Sequence, residues 1–502
     1  MKIAERGLRV ERVSSGQARL TTDVTNHFAI NGLRWQDIER VYRLSSRSDE
    51  GYFLRTDRCE RFIPSCFVGE SWKQFSMAVK LIDRALAYRN YRLFLVGQGI
   101  SLIGTWMQQV AMAWLLYRLT ASPFLLGLIS FSSQIPSLFL SPFAGVAADR
   151  WNRHRALLVT QSLSMMQAVL VLVVVYAQGA SVWPLIGLGF FLGLINGFDM
   201  PLRQSFLVEM VPNKEHLGHA IALNSSIVNG ARLVGPSLAG LIIAAWGESV
   251  CFLMNAVSYI AVLLALLAMR DLPVRTARPP GRILEHLREG LVYAFGFAPL
   301  RSMLLLVAVI SFMSMSMSVL MPVFARDVLH GNAGTQGFLM GAMGAGALGA
   351  ALYLAARRSV LGLGRVIVLA ATLYGTGQIA FSYSSNIWTS LPILIVTGCC
   401  MMLQLGASNI LIQTIVEEDK RGRVMSLYSM AFLGIAPIGS LVGGMLANNI
   451  GAPATVRISG GICIVAGLLF GIQLPRLRKL VRPIYEQAGI LPMDDPPLTP
   501  IG

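Results

Sequence analysis

Residues 218–247 read GHAIALNSSIVNGARLVGPSLAGLIIAAWG, and residues 422–451 read GRVMSLYSMAFLGIAPIGSLVGGMLANNIG. Five glycines of the first stretch recur 204 positions later in the second. Small residues let transmembrane helices approach closely, so an apolar, glycine-spaced helix used twice predicts two copies of one membrane bundle. Within this shared pattern, Arg232 of the first copy corresponds to Ala436 of the second. The charge therefore belongs to the first half alone.

The composition is that of a membrane protein. Of the 502 residues, 54% are hydrophobic and 14% are charged, whereas soluble proteins carry about 25% charged residues. From residue 93 onward, twelve apolar runs are long enough to cross a bilayer as helices. We number them span 1 to span 12: 93–117, 124–147, 156–177, 183–207, 219–246, 250–269, 301–325, 335–356, 366–384, 388–415, 424–448 and 456–474.

The net charge of +16 could suit a nucleic-acid-binding protein, but the basic residues follow the loops. Lys and Arg cluster in loops 2–3, 6–7, 8–9 and 10–11, whereas the opposite loops carry only Arg118, Arg326 and Arg457. Because positive residues favour the cytoplasmic side, both termini are expected in the cytoplasm. The sequence thus predicts a multi-pass protein of the bacterial inner membrane with no nucleic-acid partner.

The predicted organisation is an all-α integral membrane protein with two bundles of six helices. Its parts are a basic cytoplasmic extension over 1–80, bundles over 85–269 and 301–475, a cytoplasmic linker over 270–300 and a cytoplasmic tail over 476–502. We expect a short amphipathic helix over 283–293 and no regular structure in the tail. The extension has no strong periodicity. It could be a plain extension, lie upstream of a start at Met77, or act as a regulatory domain.

Loop 2–3 carries an acid–base motif in Gly145-Val-Ala-Ala-Asp149-Arg150-Trp-Asn152-Arg153-His154. Asp149 follows the end of an apolar span, and Asn152 stands where we expect a left-handed turn, which asparagine tolerates. The motif resembles that of the major facilitator superfamily: glycine, three residues, aspartate, a basic residue, any residue, glycine and two basic residues. Asn152 replaces the second glycine.

This resemblance implies a role for the loop in gating. In the superfamily, the aspartate and arginines form a cytoplasmic charge network that holds the two halves in the outward-facing state. The resemblance assigns that role to Asp149, Arg150 and Arg153, with Gly145 and His154 completing the motif. Glu209, at the end of span 4, is the expected partner of the loop arginines.

Span 5 contains Gly235-Pro236-Ser-Leu-Ala239-Gly240, which resembles the antiporter signature of the same superfamily. The match is partial, because Ala239 stands for one of the signature glycines. It favours export over import. The alternative is a kinked, tightly packed helix, since proline removes one backbone hydrogen bond. The aligned pair in the second copy, Gly439-Ser440, lacks the proline.

Charges within the spans are the main candidates for chemistry, because a charge at bilayer depth is costly and usually faces a partner or a cavity. Asp199 and Arg203 share one helix face at i and i+4. Either they form a neutral structural pair, or Asp199 couples protons. Arg232, with Asn229 on the same face, either contacts substrate or pairs with Asp199 or backbone carbonyls. The second six spans carry amides instead: Gln378, Gln404, Asn409 and Gln413.

The local sequence resembles the bacterial branch that includes enterobactin exporters and macrolide or secretion-effector permeases. The resemblance lies in Asn90–Gln98, Trp106-Met107-Gln108 and Asp199-Met-Pro-Leu-Arg203. It implies a monomeric secondary transporter that exports a small amphipathic molecule (a siderophore, drug or metabolite) by alternating access, driven by protons. An importer or lipid-moving facilitator of the same fold, or a non-transporting sensor, remains an alternative. No nucleophile–base or metal constellation appears, so an enzyme, a metal and a cofactor are not expected.

Overall fold

Twelve long helices occupy the places predicted for the spans. The computed structural model describes residues 2–3, 8–14, 17–21, 52–55, 86–177, 181–211, 213–270, 283–357, 359–487 and 489–490. Spans 1 to 6 are Arg89–Thr120, Pro123–Arg150, Arg153–Ala177, Val182–Met210, Lys214–Trp246 and Glu248–Leu267. Spans 7 to 12 are Ala298–Val328, Ala333–Ala356, Leu363–Ser382, Ile387–Ile415, Arg421–Ile450 and Ala452–Gln487.

Eleven of these helices are long and apolar enough to cross a membrane. Span 1, with 32 residues, is also long enough, but it is more polar than the other eleven helices. It carries Gln98, Ser101 and Gln108, which are buried inside the first bundle. Gln108 accepts a hydrogen bond from Asn255 of span 6 at 2.7 Å and donates one to Gln167 of span 3 at 3.1 Å. For the membrane part of the chain, the prediction of an all-α fold with two bundles is confirmed.

The two bundles use the same internal pairing. In the first, span 2 packs on span 4, span 1 on spans 5 and 6, and span 3 on spans 4 and 6. Each of these pairs recurs six spans later in the second bundle: 8 with 10, 7 with 11 and 12, and 9 with 10 and 12. Such repetition is the architecture of carriers built from two parallel repeats.

Some of the repeated glycines, Gly240 and Gly444 among them, lie where helices meet closely. Between the bundles, span 5 packs on span 8 and span 2 packs on span 11. A methyl group at Gly240 would lie 2.9 Å from the Cα of Gly337, and one at Gly444 would lie 2.9 Å from the Cα of Gly127. Only glycine permits this approach, so the duplicated pattern brings the two halves together at two equivalent places.

The second copy of the glycine helix is not straight. Span 11 consists of Arg421–Ser429, a π-helical turn over Met430–Gly434 and the segment Ala436–Ile450. Ser440 replaces proline at the aligned position, as the sequence shows, but Pro437 begins the last segment. Because 437 − 204 = 233, this proline lies three residues before the position aligned with Pro236. Both copies therefore contain a proline, at different points.

The tail prediction is wrong for its first part. Span 12 continues through Pro475 and Pro483 to Gln487. Leu477 and Val481 are buried against the second bundle. This burial offsets the loss of the backbone hydrogen bonds that the two prolines cannot donate, so the helix continues. The linker helix is present as Ile283–Gly296, which confirms the expected segment.

The first 80 residues form a separate compact unit. It contains four strands in an antiparallel sheet of order β1-β2-β3-β4: Lys2–Ile3, Leu8–Ser14, Gln17–Thr21 and Tyr52–Arg55. Strand β3 pairs with β4 so that Leu20 lies opposite Tyr52. The sequence pattern did not predict these strands: they have two to seven residues, and the apolar alternation of β2 stops after Val10.

Candidate functional site

Among the residues that the structure describes, the close contacts between the two bundles lie at one end and at mid-depth, and the other end is open. We call the end with loops 1–2, 5–6, 7–8 and 11–12 the closed end, since the glycine contacts of Gly240 and Gly444 lie there. At the open end, spans 5 and 11 instead expose serines: Ser225 and Ser226 on span 5, and Ser426 and Ser429 on span 11. A pocket between spans 10 and 11 also opens there, lined by Ile410, Gln413, Thr414 and Arg421.

Polar side chains join the two bundles at the closed end. The hydroxyl of Tyr117 in span 1 donates a hydrogen bond to Asp327 in span 7. Arg326 donates to the carbonyl oxygen of Tyr117 at 3.3 Å and lies over its ring. Ser130 of span 2 donates to Ser440 of span 11 at 3.1 Å. These contacts were not predicted from the sequence, although Arg326 and Asp327 are adjacent charges at the end of an apolar span.

Arg232 lies at the point where the open space begins. Span 5 has its midpoint at residue 230, since (214 + 246)/2 = 230, so Arg232 is near bilayer mid-depth. A methyl group at Gly344 of span 8 would lie 3.2 Å from the carbonyl oxygen of Arg232, so the bundles still touch at this level. The guanidinium lies 5.2 Å from the ring centroid of Trp106 in span 1.

The face that runs from Arg232 to the open end is polar, as the sequence predicts. Asn229 donates to the carbonyl oxygen of Ser225 at 2.8 Å, and both residues lie on that face. Toward the closed end the face changes: a methyl group at Gly337 would lie 2.6 Å from the carbonyl oxygen of Pro236. Gly235 packs against Trp106. Gly235, Pro236 and Gly240 are therefore packing residues here.

Asp199 lies inside the first bundle. It is 3% exposed and accepts hydrogen bonds from Thr160 and from Gln161, each at 2.7 Å. Arg203 forms an ion pair with its other oxygen. Among the described residues, the alternative pairing of Arg232 with Asp199 does not occur. The structure thus brings Asp199 and Arg203 together and leaves Arg232 separate.

The structure describes only some side chains of the loop 2–3 motif. Span 2 extends as a helix through Gly145 to Arg150, and the side chains of Asp149 and Arg150 lie outside the described part. Arg153 pairs with Glu209 at 2.7 Å, with both side chains about nine-tenths buried. This contact joins spans 3 and 4 within the first bundle. It confirms Glu209 as a partner of a loop arginine.

Two neighbours of Arg153 fix the start of span 3. The ring of His154 forms a hydrogen bond with the carbonyl oxygen of Leu266 at 2.8 Å. Asn152 accepts a hydrogen bond from the backbone N–H of Arg155 at 3.1 Å, which caps the helix. The expected left-handed turn at Asn152 is wrong, because its φ is not positive. An N-cap residue adopts extended backbone, so the asparagine acts as a cap.

This arrangement defines a class of protein. Two repeated six-helix bundles, closed at one end and open at the other around a mid-depth charge, form a membrane carrier. Residues 85–487 match the family model described as transmembrane secretion effector, and the chain belongs to that family of the major facilitator superfamily. The family and its relatives are transporters and not enzymes.

Similar proteins agree with this placement. The staphyloferrin A transporter of Staphylococcus aureus is 26% identical over 388 residues, covering 76% of this chain and 95% of that protein. The multidrug efflux pump Tap of Mycobacterium tuberculosis is 27% identical over 402 residues, covering 76% and 91%. A crystal structure of a mutant of the peptide transporter POT superposes with a TM-score of 0.63 at 11% identity, covering 78% and 95%. It shows the fold alone.

Proposed function

We propose that the protein exports a small amphipathic molecule from the cytoplasm in exchange for protons. The observation that carries this proposal is the position of Arg232 and its polar face above an opening whose loops are basic. By the positive-inside rule, the open end then faces the cytoplasm. The described conformation would accept substrate from the cytoplasmic side, as an exporter must.

The relatives support an amphipathic substrate. Two of them are named as a siderophore transporter and a multidrug efflux pump. In this chain, Arg232 and Asn229 would contact the polar part of such a molecule, and the ring of Trp106 would contact an apolar part. Siderophore, drug and metabolite all fit this description.

During alternating access, the closed end would open and the open end would close. Opening the closed end would break the bond between Tyr117 and Asp327 and separate span 5 from span 8. Closing the open end would use the loop 2–3 motif, in which Asp149, Arg150 and Arg153 are proposed to hold the halves in the outward-facing state.

Asp199 is the proposed proton carrier. Its carboxylate accepts hydrogen bonds from Thr160 and Gln161 and pairs with Arg203. Protonation would weaken the pair with Arg203, whose side chain is partly exposed, and so change the contact between spans 3 and 4. Proton binding would in this way alter the packing of the first bundle.

Everted membrane vesicles test the proposal. Ethidium, which is a cation, and 1-pyrenebutyrate, which is an anion, serve as probes, and we expect accumulation of at least one of them when the vesicle interior is acidic. An uncoupler and the Asp199→Asn variant should each abolish this accumulation, whereas Arg457→Met, at the closed end outside the opening, should not. Accumulation that survives both treatments would contradict proton coupling.

A sensor is the second candidate, because Met1–Lys80 forms a compact unit of its own with a sheet. A chain that starts at Met77 decides between the two functions. We expect it to transport the probes at the full-length rate, since the family match begins at residue 85. Loss of transport would assign a regulatory role to the extension.

Uptake in right-side-out vesicles would instead indicate an importer.

A further inference from the structure

We propose that the site at Arg232 selects anionic amphipathic molecules, such as carboxylates with an apolar body, over cations of the same shape. This inference rests on the transport function proposed above, whose substrate class it narrows. It is carried by the charge balance of the opening and by the stacking of Arg232 on Trp106.

Among the residues that the structure describes, Arg232 has no acidic partner. The acidic side chains of the first bundle that the structure describes pair elsewhere: Asp199 with Arg203, Glu209 with Arg153 and Glu248 with Arg118. In spans 7 to 12, the acidic residues are Asp327 at the closed end and Glu486 in the last turn of span 12. The mid-depth part of the opening therefore carries a positive charge in the described residues.

That charge requires a mobile counter-charge. Arginine stays protonated at all accessible pH values, and an unpaired charge at bilayer depth costs several kcal/mol. Water in the open conformation offsets part of this cost. When the cytoplasmic end closes, water leaves, and a bound anion would be the partner that the protein itself does not supply.

The geometry around Arg232 also suits an anion. Trp106 covers one face of the guanidinium, at 5.2 Å, which leaves the N–H edge free to bind a carboxylate in bidentate fashion. The indole ring also offers an apolar surface to the body of the ligand. Asn229, close to one turn along span 5, adds an amide on the same face. In the second bundle, Ala436 stands at the position aligned with Arg232. The site therefore offers one guanidinium, which suits a ligand with one anionic group.

The test compares 1-pyrenebutyrate with 1-pyrenebutylammonium, which share one apolar body and differ in charge. Binding to the purified full-length protein in uncharged maltoside micelles is measured by equilibrium dialysis against protein-free micelles. We expect the anion to bind about tenfold more tightly than the cation, a ratio that corresponds to about 1.4 kcal/mol. Arg232→Met should remove this preference, and Arg232→Lys should retain part of it.

Arg457→Met is the matched control, because Arg457 also stacks on an aromatic ring, that of Tyr383 at 4.9 Å, but lies at the closed end. It should leave both affinities unchanged. Equal binding of the two probes by the wild type, binding of neither, or an anion preference that persists in Arg232→Met would each overturn the inference. These measurements are independent of direction and of protons, so a failure here with vesicle transport intact would leave the export proposal standing.

Discussion

Tyr117 of span 1 donates a hydrogen bond to Asp327 of span 7, and these two spans occupy the same position in the two bundles. A π-helical turn over Phe324–Val328 carries both Asp327 and Arg326, which reaches back to the carbonyl oxygen of Tyr117. Such turns often mark functional sites. The bond therefore joins the halves at their symmetry-related helices, at the end that must open during transport.

Replacing Tyr117 with phenylalanine should favour opening of the closed end. The change removes one hydrogen bond between the bundles and keeps the ring. Because a hydrogen bond contributes about 1 kcal/mol net, the open population should rise about fivefold. Amide hydrogen exchange measures this as faster exchange in loops 1–2 and 7–8 at residues 119–124 and 329–332.

Tyr383→Phe is the control for this change. Tyr383 lies at the same end and is 70% exposed. Its hydroxyl makes no contact between the bundles that the structure records, so loop exchange should stay at the wild-type rate. Equal exchange in wild type and Tyr117→Phe would show that the bond does not hold this end closed.

A methyl group at Gly240 should impair transport more than its size suggests. It would lie 2.8 Å from the carbonyl oxygen of Ala333 and 2.9 Å from the Cα of Gly337. Span 5 and span 8 would have to separate to admit it. We expect Gly240→Ala to slow probe accumulation in everted vesicles several-fold, because the closed end no longer closes fully.

Gly230→Ala, in the same helix, controls for the change in helix propensity. A methyl group there meets no atom within 4 Å. Both substitutions favour the helix by about 1 kcal/mol, so the difference between them isolates the contact. Normal transport in Gly240→Ala would show that close approach at this point is dispensable.

The membrane fold could be predicted from the sequence because two independent physical requirements restrict which residues occur along the chain. Each span needs about 20 apolar residues to cross the bilayer, and the contacts of Gly240 with Gly337 and of Gly444 with Gly127 have a glycine on both helices. Gly240 and Gly444 satisfy the second requirement at equivalent positions, which is why the duplication is visible in a single chain.

The contacts of the site are less predictable. Tyr117 and Asp327 are 210 residues apart in sequence, and no local pattern relates them. The partner of Arg153 could be predicted, since Glu209 stands at the same membrane depth in the neighbouring span. Asn152 shows the opposite case: one residue type suits both a left-handed turn and a helix cap, and only the backbone decides.

The pair of Arg153 and Glu209 should contribute strongly to stability. Both side chains are about nine-tenths buried, so Glu209→Gln removes an ion pair from a site with little water. Breaking such a pair costs about 3 kcal/mol or more. We expect a clear fall in the thermal unfolding temperature of the purified protein.

Glu486→Gln is the comparison for that experiment, because its ion pair with Arg482 lies at an exposed position near the end of span 12. Exposed pairs contribute about 0–1 kcal/mol, so its unfolding temperature should hardly change. Similar losses in the two variants would show that burial does not set the strength of these pairs.

Asp199 and Arg203 allow the structural and the coupling hypotheses to be separated in one experiment. Asp199→Asn should lower the thermal unfolding temperature, because Arg203 loses its counter-charge within a largely buried cluster. Asp199→Asn combined with Arg203→Gln removes both charges, so most of the stability should return. If Asp199 carries the proton, transport that depends on the pH gradient stays lost in the double variant although the protein is stable. Recovery of both stability and transport would assign the pair to structure alone and move proton coupling to another residue.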